Sequence, residues 1–393
     1  MPEPLNIPIV VAFNQNYCLP AGVALHSMLT HAAHTHENTP LFYKIHCLVQ
    51  GVDATHKAKL EQGLASFRDF SSVEFIDIES ATSHKPQATS HKPQATSHKP
   101  QATSHSVAEK FEILFKSLSP FAQKRFSPLI LTRFILPSLF PQYDKIIMCD
   151  VDVVFAGDIS GSYFMLDIES RYCLAVAKEV RETQNVADLI KTRQISMVAE
   201  NMPLHILTHR QWQILHDHPF NIGFAVYNLK AWRTHDIEDH CVAFFTKNGH
   251  GLYCPEQDTL TLLCYQNILE LPHTYNANPH HFQLENHPIR QTIKDPQEVI
   301  MWHFYGPDKP WNPESFHAAQ FWIAALLRTT LAPVYFENYY SWLKDHNFKN
   351  HFIRLESLIT KKFLAGYVFY KIQRIVKRSW IKFCLWWKLK RLS

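Results

Sequence analysis

The sequence predicts an α/β fold with a mostly parallel central sheet, followed by C-terminal helices. Strand and helix patterns alternate from the N-terminus, which is typical of βαβ units. The apolar segment IIMCDVDVVF at residues 146–155 is typical of a strand that is buried on both faces of a parallel sheet. With 393 residues and 46% hydrophobic content, the chain can form one large domain or two smaller ones.

The predicted elements follow one another along the chain. Strands are predicted at residues 7–13, 42–49 and 73–78, and helices at residues 21–31 and 56–66. A helix from residue 127 leads to the strand at residues 146–155, and alternating helices and strands continue to about residue 310. Residues 314–353 have a helical, aromatic-rich pattern. We therefore predict a main domain at residues 1–313, a helical extension at 314–356 and a tail at 357–393.

A heptapeptide repeat interrupts the main domain at residues 81–105. The unit ATSHKPQ occurs three times, and a partial copy ends at His105. Each unit has a single Ala as its apolar residue and contains a Pro, which excludes a coiled coil. We predict a flexible, solvated insertion without a catalytic role, and its His residues have no fixed geometry to hold a metal.

The tail concentrates positive charge. Residues 357–393 contain ten Lys or Arg and no Asp or Glu, whereas the rest of the chain has 29 basic and 35 acidic residues. We predict an amphipathic helix lying on an anionic membrane surface, because the longest uncharged run, residues 363–370, is too short to span a bilayer. The alternative is a helix packed on the acidic body of the protein. Nucleic acid is not an expected partner.

The cysteine pattern bears on the compartment. The eight Cys are scattered and form no CxxC pair, and no secretory signal is recognisable at the N-terminus. We expect free thiols in the reducing cytoplasm. Together with the tail, this predicts a cytoplasmic protein that is peripheral on the inner face of the cytoplasmic membrane.

Two carboxylates stand in the middle of the apolar strand. Asp150 and Asp152 are two residues apart, so a continuous strand would point both to the same side. Burying two like charges is costly unless the strand ends there, a basic group pairs with them or a divalent cation binds. Carboxylate pairs suit Mn²⁺ or Mg²⁺, and the turn residues Ala156 to Asp158 predict that the strand ends just after the pair. Two solvated carboxylates at a strand end are the alternative.

The order of five motifs resembles the family-8 retaining glycosyltransferases, particularly the bacterial lipopolysaccharide glucosyl- and galactosyltransferases. The motifs are IPIVVAFNQNYCLPAGVALHSML, LTRFILPSLFPQYDKIIMCDVDVVF, PFNIGFAVYNLKAWR, CPEQDTLT and MWHFYGPDKPWN. The resemblance covers residues 7–312 apart from the repeat. It implies a GT-A fold, which is a Rossmann-like nucleotide-diphospho-sugar transferase, and a UDP-hexose donor.

The first motif implies a uridine-binding loop. Ala12, Asn14, Asn16 and Tyr17 match the family's uridine-binding positions, and Tyr17 would stack on the base. Many family members have Asp where Asn14 stands, although an amide can also hydrogen-bond a uracil edge. An aromatic residue after a strand is otherwise a common core residue.

The second motif implies an arginine helix and a metal strand. Arg133 matches the arginine that reaches the nucleotide-sugar, and its alternative role is a snorkelling surface side chain. Asp150 and Asp152 match two metal-ligand positions, and Val151 between them belongs to the substrate-binding segment.

The third and fourth motifs imply contacts to the donor sugar. Asn221 and Gly223 would lie under the sugar, with Asn221 bonding its hydroxyls. Gln257 matches the residue nearest the back face of the anomeric carbon, which is a catalytic position, and Glu256 replaces the family's first Asp. Glu256 and Asp258 would contact the sugar or order the loop, and a helix start with an acidic first turn is the structural alternative for Asp258.

The fifth motif is the most specific, because all fixed positions of H-x-x-G-x-x-K-P-W are present. They are His303, Gly306, Lys309, Pro310 and Trp311. The resemblance implies that His303 is the third metal ligand, that Gly306 lets the backbone approach the phosphates and that Lys309 acts catalytically on the β-phosphate.

The sequence thus predicts a metal-dependent retaining hexosyltransferase that moves glucose or galactose from a UDP-sugar to a lipopolysaccharide or lipooligosaccharide acceptor. Its expected partners are the UDP-hexose donor, a glycolipid acceptor and an anionic membrane surface. Two alternatives remain: a transferase of the same fold with a protein or polysaccharide acceptor, and a catalytically silent glycan-binding module.

Overall fold

The computed structural model describes most of the first 345 residues. The described residues are 3–78, 106–180, 185–202, 207–306, 309–312 and 319–345, with residues 372, 373, 375, 376, 379 and 380 of the tail. The predicted repeat insertion and most of the predicted tail therefore lie outside the described residues.

Strands of the described chain form two sheets. They are β1 (Leu5–Asn14), β2 (Thr35–His36), β3 (Thr39–Gln50), β4 (Ser71–Asp77), β5 (Lys145–Cys149), β6 (Val153–Phe155), β7 (Leu174–Lys178), β8 (Phe220–Asn228), β9 (Ile268–Leu271) and β10 (Met301–His303). The large sheet has the order β2-β3-β1-β5-β8-β7-β9, with β4 also paired to β3. In it, β8 and the short β2 run antiparallel to their neighbours, and the other pairs are parallel. The predicted mostly parallel sheet is confirmed.

Helices cover the sheet and form the C-terminal part. They are α1 (Cys18–Thr30), α2 (Ala54–Gly63), α3 (Val107–Lys116), α4 (Pro120–Arg125), α5 (Leu136–Leu139), α6 (Ser160–Met165), α7 (Val186–Ala199), α8 (His209–Asp217), α9 (Leu229–Thr234), α10 (Ile237–Asn248), α11 (Pro255–Cys264), α12 (Pro279–Gln283), α13 (Ile289–Thr292), α14 (Ala319–Leu326) and α15 (Ala332–Asp345). The predicted N-terminal strands and helices are all present, with ends shifted by a few residues.

Strand β1 anchors the parallel half of the sheet. It pairs with β3 along its whole length, and Val11 pairs with Cys149 of β5 on its other side. Ile7, Ile9 and Val11 are fully buried, and each such side chain contributes about 1.5–3 kcal/mol through burial. Since parallel strands end at the same edge, the residues after β1 and after β5 lie close together, where α/β sheets bind ligands.

The strand that carries the carboxylate pair ends earlier than the sequence predicts. The expectation of a single strand through residues 146–155 is wrong, because β5 ends at Cys149 and the chain bends at Asp150–Asp152. The next segment, β6, leaves the large sheet and pairs antiparallel with β10. The bend is possible because β10 satisfies the backbone of β6 in a second ladder.

The predicted arginine helix is also different in detail. Arg133 lies in a 3₁₀-helix, Pro128–Phe134, and the single turn α5 follows it. Pro137 has no amide hydrogen to donate to the carbonyl of Arg133, so a continuous α-helix cannot run through this segment. The prediction of a helix from residue 127 to this point is therefore wrong in type, although Arg133 itself is buried, at 3% exposed.

The C-terminal helices pack on the same core as the sheet. Trp322 of α14 is fully buried, and its ring contacts Trp311, with 5.9 Å between centroids, and Tyr335 of α15, with 5.3 Å. Trp311 in turn contacts Tyr17 edge-on, at 5.6 Å. We call Tyr17, Trp311, Trp322 and Tyr335 the aromatic chain. The predicted domain division at residue 313 stays a prediction.

Two further features concern thiols and membranes. The seven Cys within the described residues are free thiols. Among the helices of the described chain, none has the length and apolar character needed to cross a bilayer.

Candidate active site

Three chain segments bring the predicted metal ligands together. Asp150 follows β5, Asp152 precedes β6, and His303 ends β10, where it pairs in register with Val153. The amide of Asp150 donates to the carbonyl of Gly223 in β8 at 2.7 Å, which holds the bend against the large sheet. The site therefore lies where the large sheet meets the β6–β10 pair.

Asp150, Asp152 and His303 form a group that can hold a metal ion. One ligand atom from each lies within 4.8 Å of the others. His303 Nε2 is 3.5 Å from Asp150 Oδ2 and 3.3 Å from Asp152 Oδ1, yet it makes no hydrogen bond of acceptable geometry within the described structure. A buried imidazole nitrogen facing two carboxylate oxygens is a donor set that suits a divalent cation. We call these three residues the ligand triad.

A basic side chain holds the second oxygen of each carboxylate. Arg133 Nη2 donates to Asp150 Oδ1, and Lys309 Nζ donates to Asp152 Oδ2 at 2.5 Å and to the carbonyl of Phe304 at 2.8 Å. The remaining oxygen of each carboxylate faces His303. This arrangement explains how two neighbouring carboxylates tolerate burial, because each has its own basic partner.

The charges at the site follow from these contacts. Burial alone would raise the pKa of both carboxyl groups, but Arg133 lowers the pKa of Asp150, and Lys309 with His303 lowers that of Asp152. Both carboxylates are therefore ionised at neutral pH. Burial would lower the pKa of His303, but Asp152 and Asp150 outweigh it and raise this pKa to about 9. Binding of a cation at Nε2 must displace the proton from that atom.

Two glycines are required by the geometry. A Cβ atom on Gly223 would lie 2.1 Å from Cε1 of His303, so only glycine lets the imidazole pack against β8. Gly306, three residues after His303, has φ of 106°, a conformation that other residues rarely adopt. Both were predicted at the donor site.

The predicted uridine-binding residues lie at the carboxyl end of β1. Asn14 Oδ1 accepts from the amide of Asn16 at 3.1 Å and caps a 3₁₀ turn that includes Tyr17. The structure brings Tyr17 near the ligand triad: burial raises the pKa of its hydroxyl, Lys309 lowers it, and the two aspartates raise it further. Ala12, earlier in β1, is half-buried.

The start of α11 carries the residues of the fourth motif. Glu256 and Gln257 are half-buried in its first turn. Oε2 of Glu256 is buried without a hydrogen-bond partner in the described residues, and burial, opposed by Arg133, raises the pKa of this carboxyl to about 7. Glu256 therefore lies within the electrostatic range of Arg133 and Asp150.

Asp258 orders the loop instead of facing the site. Its Oδ2 accepts from the amide of Cys254 at 3.1 Å and pairs with Arg193 at 3.4 Å. Of the three roles that the sequence left open for Asp258, these contacts favour ordering of the loop and the helix start over contact with the sugar. Arg193 lies on α7 and is buried. It was not identified from the sequence, because a basic residue on a helix is usually exposed at the surface.

Sequence reasoning also missed Asn276. Its Oδ1 lies 2.8 Å from Nδ1 of His303, and its Nδ2 donates to Asn221. Asparagine is common in turns, so its presence in a loop does not indicate a role at the site. Asn276 links the ligand triad to Asn221, whose own Oδ1 accepts from the amide of Gly223 at 3.0 Å.

The family model described as glycosyl transferase family 8 matches residues 8–315. The chain belongs to this family. The predicted resemblance to the family-8 glycosyltransferases is thereby confirmed, and the ligand triad and Lys309 all lie within the matched region.

Solved structures similar to this family-8 glycosyltransferase show its fold. The apo structure of the bifunctional glycosyltransferase WbbM matches with a TM-score of 0.57 and 19% identity. The match covers 84% of this chain and 51% of the WbbM chain. The galactosyltransferase LgtC, solved with donor and acceptor sugar analogues, matches with a TM-score of 0.54 and 17% identity. The match covers 82% of this chain and 96% of the LgtC chain. The glycosyltransferase GlyE from Streptococcus pneumoniae TIGR4 matches with a TM-score of 0.50 and 16% identity. The match covers 86% of this chain and 63% of the GlyE chain.

These similarities confirm the predicted GT-A-like fold. The chain spans about half the length of WbbM, 51%. No curated protein sequence is similar enough to count as a match.

Proposed function

We propose that this glycosyltransferase is a metal-dependent retaining enzyme that moves glucose or galactose from a UDP-sugar to a lipopolysaccharide or lipooligosaccharide acceptor. The observation that carries the proposal is the ligand triad. One oxygen of each carboxylate is held by Arg133 or Lys309, and the other oxygen faces the buried Nε2 of His303. Such a site binds a divalent cation and, next to it, the diphosphate of a nucleotide-sugar.

Mn²⁺ is the proposed ion, with Mg²⁺ as the alternative, and Asp150, Asp152 and His303 would hold it. When bound, the ion supplies Lewis-acid neutralisation of the charge that develops on the leaving diphosphate. Arg133 keeps Asp150 ionised and in place for this role.

Lys309 is proposed as the main protein charge at the leaving group. Its ammonium is fixed between Asp152 and the carbonyl of Phe304, so it does not need to be reoriented when the sugar departs. Preorganised charge of this kind is usually the largest catalytic contribution. Gly306 would let the backbone approach the phosphates, and Tyr17 would stack on the uracil.

The donor sugar would lie between β8 and the start of α11. Asn221 and Gly223 are proposed under the sugar, and Gln257 near the back face of its anomeric carbon, with Glu256 beside it. None of the carboxylates of the described site is placed as an obvious nucleophile, which favours attack of the acceptor hydroxyl from the face that UDP leaves. The departing phosphate would then take the proton of the acceptor hydroxyl.

The test is hydrolysis of nucleotide-sugars without an acceptor. Purified protein is incubated with Mn²⁺ and a panel of UDP-glucose, UDP-galactose, UDP-N-acetylglucosamine and GDP-mannose, and release of the nucleotide is measured. We expect hydrolysis of a UDP-hexose that stops on addition of EDTA and resumes with excess Mn²⁺. Turnover of none of the UDP-hexoses, or undiminished turnover in EDTA, would contradict the proposal.

The acceptor is the less constrained half of the proposal. The four described apolar residues of the tail, Ile372, Ile375, Val376 and Trp380, are 51–64% exposed. An exposed apolar face on a segment rich in Lys and Arg supports docking on anionic lipid, where a lipid-linked acceptor would be. A protein or polysaccharide acceptor would not need such a tail.

Truncation after Glu356 should separate membrane binding from catalysis. We expect the truncated protein to lose binding to anionic vesicles, measured by co-sedimentation, and to keep UDP-hexose hydrolysis. The reason is that ten basic residues leave with the tail, each contributing on the order of 1 kcal/mol near an anionic surface. Zwitterionic vesicles serve as the control, and equal binding of the two proteins to anionic vesicles would contradict the prediction.

A further inference from the structure

Two buried asparagines connect His303 to the backbone of β8. Asn276 and Asn221 are 7% and 9% exposed. The amide of Gly223 donates to Asn221 Oδ1 at 3.0 Å, and Asn276 Nδ2 donates to Asn221 Oδ1 at 2.9 Å and to the carbonyl of Asn221 at 3.0 Å. Asn276 Oδ1 lies 2.8 Å from His303 Nδ1. We call this set of hydrogen bonds the asparagine network.

The backbone fixes the direction of each bond in the asparagine network. The amide of Gly223 can only donate, so the side-chain atom of Asn221 that faces it must be the oxygen. An oxygen can only accept, so the atom of Asn276 beside it must be Nδ2. The carbonyl of Asn221, which also can only accept, requires the same assignment independently. Flipping either side-chain amide would place two acceptors or two donors against each other.

The polarity then extends to the imidazole. Since Nδ2 of Asn276 points to Asn221, its Oδ1 must face His303, and His303 Nδ1 must carry the proton. When a cation displaces the proton of Nε2, the neutral imidazole keeps its single N–H at Nδ1, and the lone pair of Nε2 faces Asp150 and Asp152. A metal-bound imidazole commonly donates its other N–H to an oxygen acceptor in this manner.

We infer that Asn276 is a positioning residue that fixes His303 in the Nδ1–H tautomer and so makes Nε2 the metal-binding atom. The inference rests on the metal site of the proposed function. Asn276 touches neither the ion nor the sugar in this role, and acts through the ring that it orients.

The asparagine network also limits what Asn221 can offer to a sugar. Its Oδ1 already accepts two hydrogen bonds, and both lone pairs are therefore used. The remaining polar atom is Nδ2, which is a donor. Asn221 would thus donate to a hydroxyl oxygen of the donor sugar, and the same residue joins the sugar pocket to the metal ligand through Asn276.

The test measures metal binding without catalysis. Free Mn²⁺ is quantified by electron paramagnetic resonance as it is titrated into protein and UDP. We expect Asn276→Ala to weaken Mn²⁺ binding by about 10–100-fold, the usual cost of removing an outer-shell partner of a metal ligand. Asn276→Leu should show the same loss without opening a cavity.

Asn278 supplies a matched control. It is also a buried asparagine, 2% exposed, two residues along the chain, and it caps α12 by accepting from the amides of His280 and His281. Asn278→Ala should lower thermal stability, as loss of a helix cap does, and leave the Kd for Mn²⁺ unchanged.

The outcomes separate the inference from the proposed function. Wild-type protein that binds no Mn²⁺ overturns the metal site and the inference with it. If the wild type binds and a folded Asn276→Ala or Asn276→Leu variant binds equally well, the metal site stands and the inference is wrong. Equal loss of affinity in Asn278→Ala also overturns it.

Discussion

Replacement of Asp152 by alanine is expected to abolish sugar transfer while the fold persists. Asp152 has two functions at once: Oδ1 belongs to the ligand triad, and Oδ2 holds Lys309. The substitution removes a proposed metal ligand and releases the ammonium of Lys309, which is proposed to act at the leaving group, so we expect a loss of several kcal/mol in the transition state. Because each 1.36 kcal/mol is tenfold in rate, turnover should fall by at least about a thousandfold.

The measurement is UDP-hexose hydrolysis at increasing Mn²⁺, with circular dichroism to verify folding. Asp144→Ala is the control, since Asp144 forms a surface pair with Arg233 away from the ligand triad and a pair of that kind contributes little. Near-normal turnover of Asp152→Ala in excess chelator would show that the ligand triad has no role in catalysis.

A single methyl group at position 223 is expected to have the second-largest effect on turnover. The Cβ of Gly223→Ala would lie 2.1 Å from Cε1 and 2.6 Å from Nδ1 of His303, far inside van der Waals contact. The ring must move, which removes Nε2 from the two carboxylates and breaks the bond to Asn276. We expect turnover to fall by about 10²-fold or more, as misplacement of a catalytic group by an ångström can do.

Gly63→Ala is a suitable control for this variant. A Cβ at Gly63, the last residue of α2, would lie 3.3 Å from Thr330 Oγ1 and far from His303, so activity should be unchanged. Mn²⁺ titration and hydrolysis are measured on both variants. If Gly223→Ala retained wild-type Mn²⁺ affinity, the packing of His303 against β8 would not govern the site.

The parts of the fold that local sequence determines were predictable. The parallel strand β1 could be predicted because its buried positions form a nearly continuous apolar run, and β3 because apolar residues predominate in it, with buried and half-buried positions alternating in its first half. The candidate metal ligands could be predicted because the resemblance to the family rests on a short carboxylate motif and a five-position motif, each contained within a few residues. Such signals do not need knowledge of distant contacts.

The sequence-based predictions were wrong or incomplete where contacts between distant parts of the chain determine the structure. The sequence left a strand end at Asp150 as one of three possibilities, because apolar residues flank the pair on both sides. The contact that decides is with β10, about 150 residues later, which pairs with β6 outside the large sheet. The role of Asp258 was open until Arg193 on another helix was placed beside it. Asn276 could not be identified, because its function exists only in its contacts with His303 and Asn221.

The aromatic chain couples the C-terminal extension to the loop after β1, where the proposed function places the uridine. Tyr17 follows β1, Trp311 stands two residues after Lys309, and Trp322 and Tyr335 belong to the extension, each ring packed on the next. Ordering any one ring lowers the entropy cost of ordering its neighbour. The coupling is reciprocal, so a nucleotide bound at Tyr17, as proposed, would stabilise the docked extension by the same free energy with which the docked extension tightens nucleotide binding.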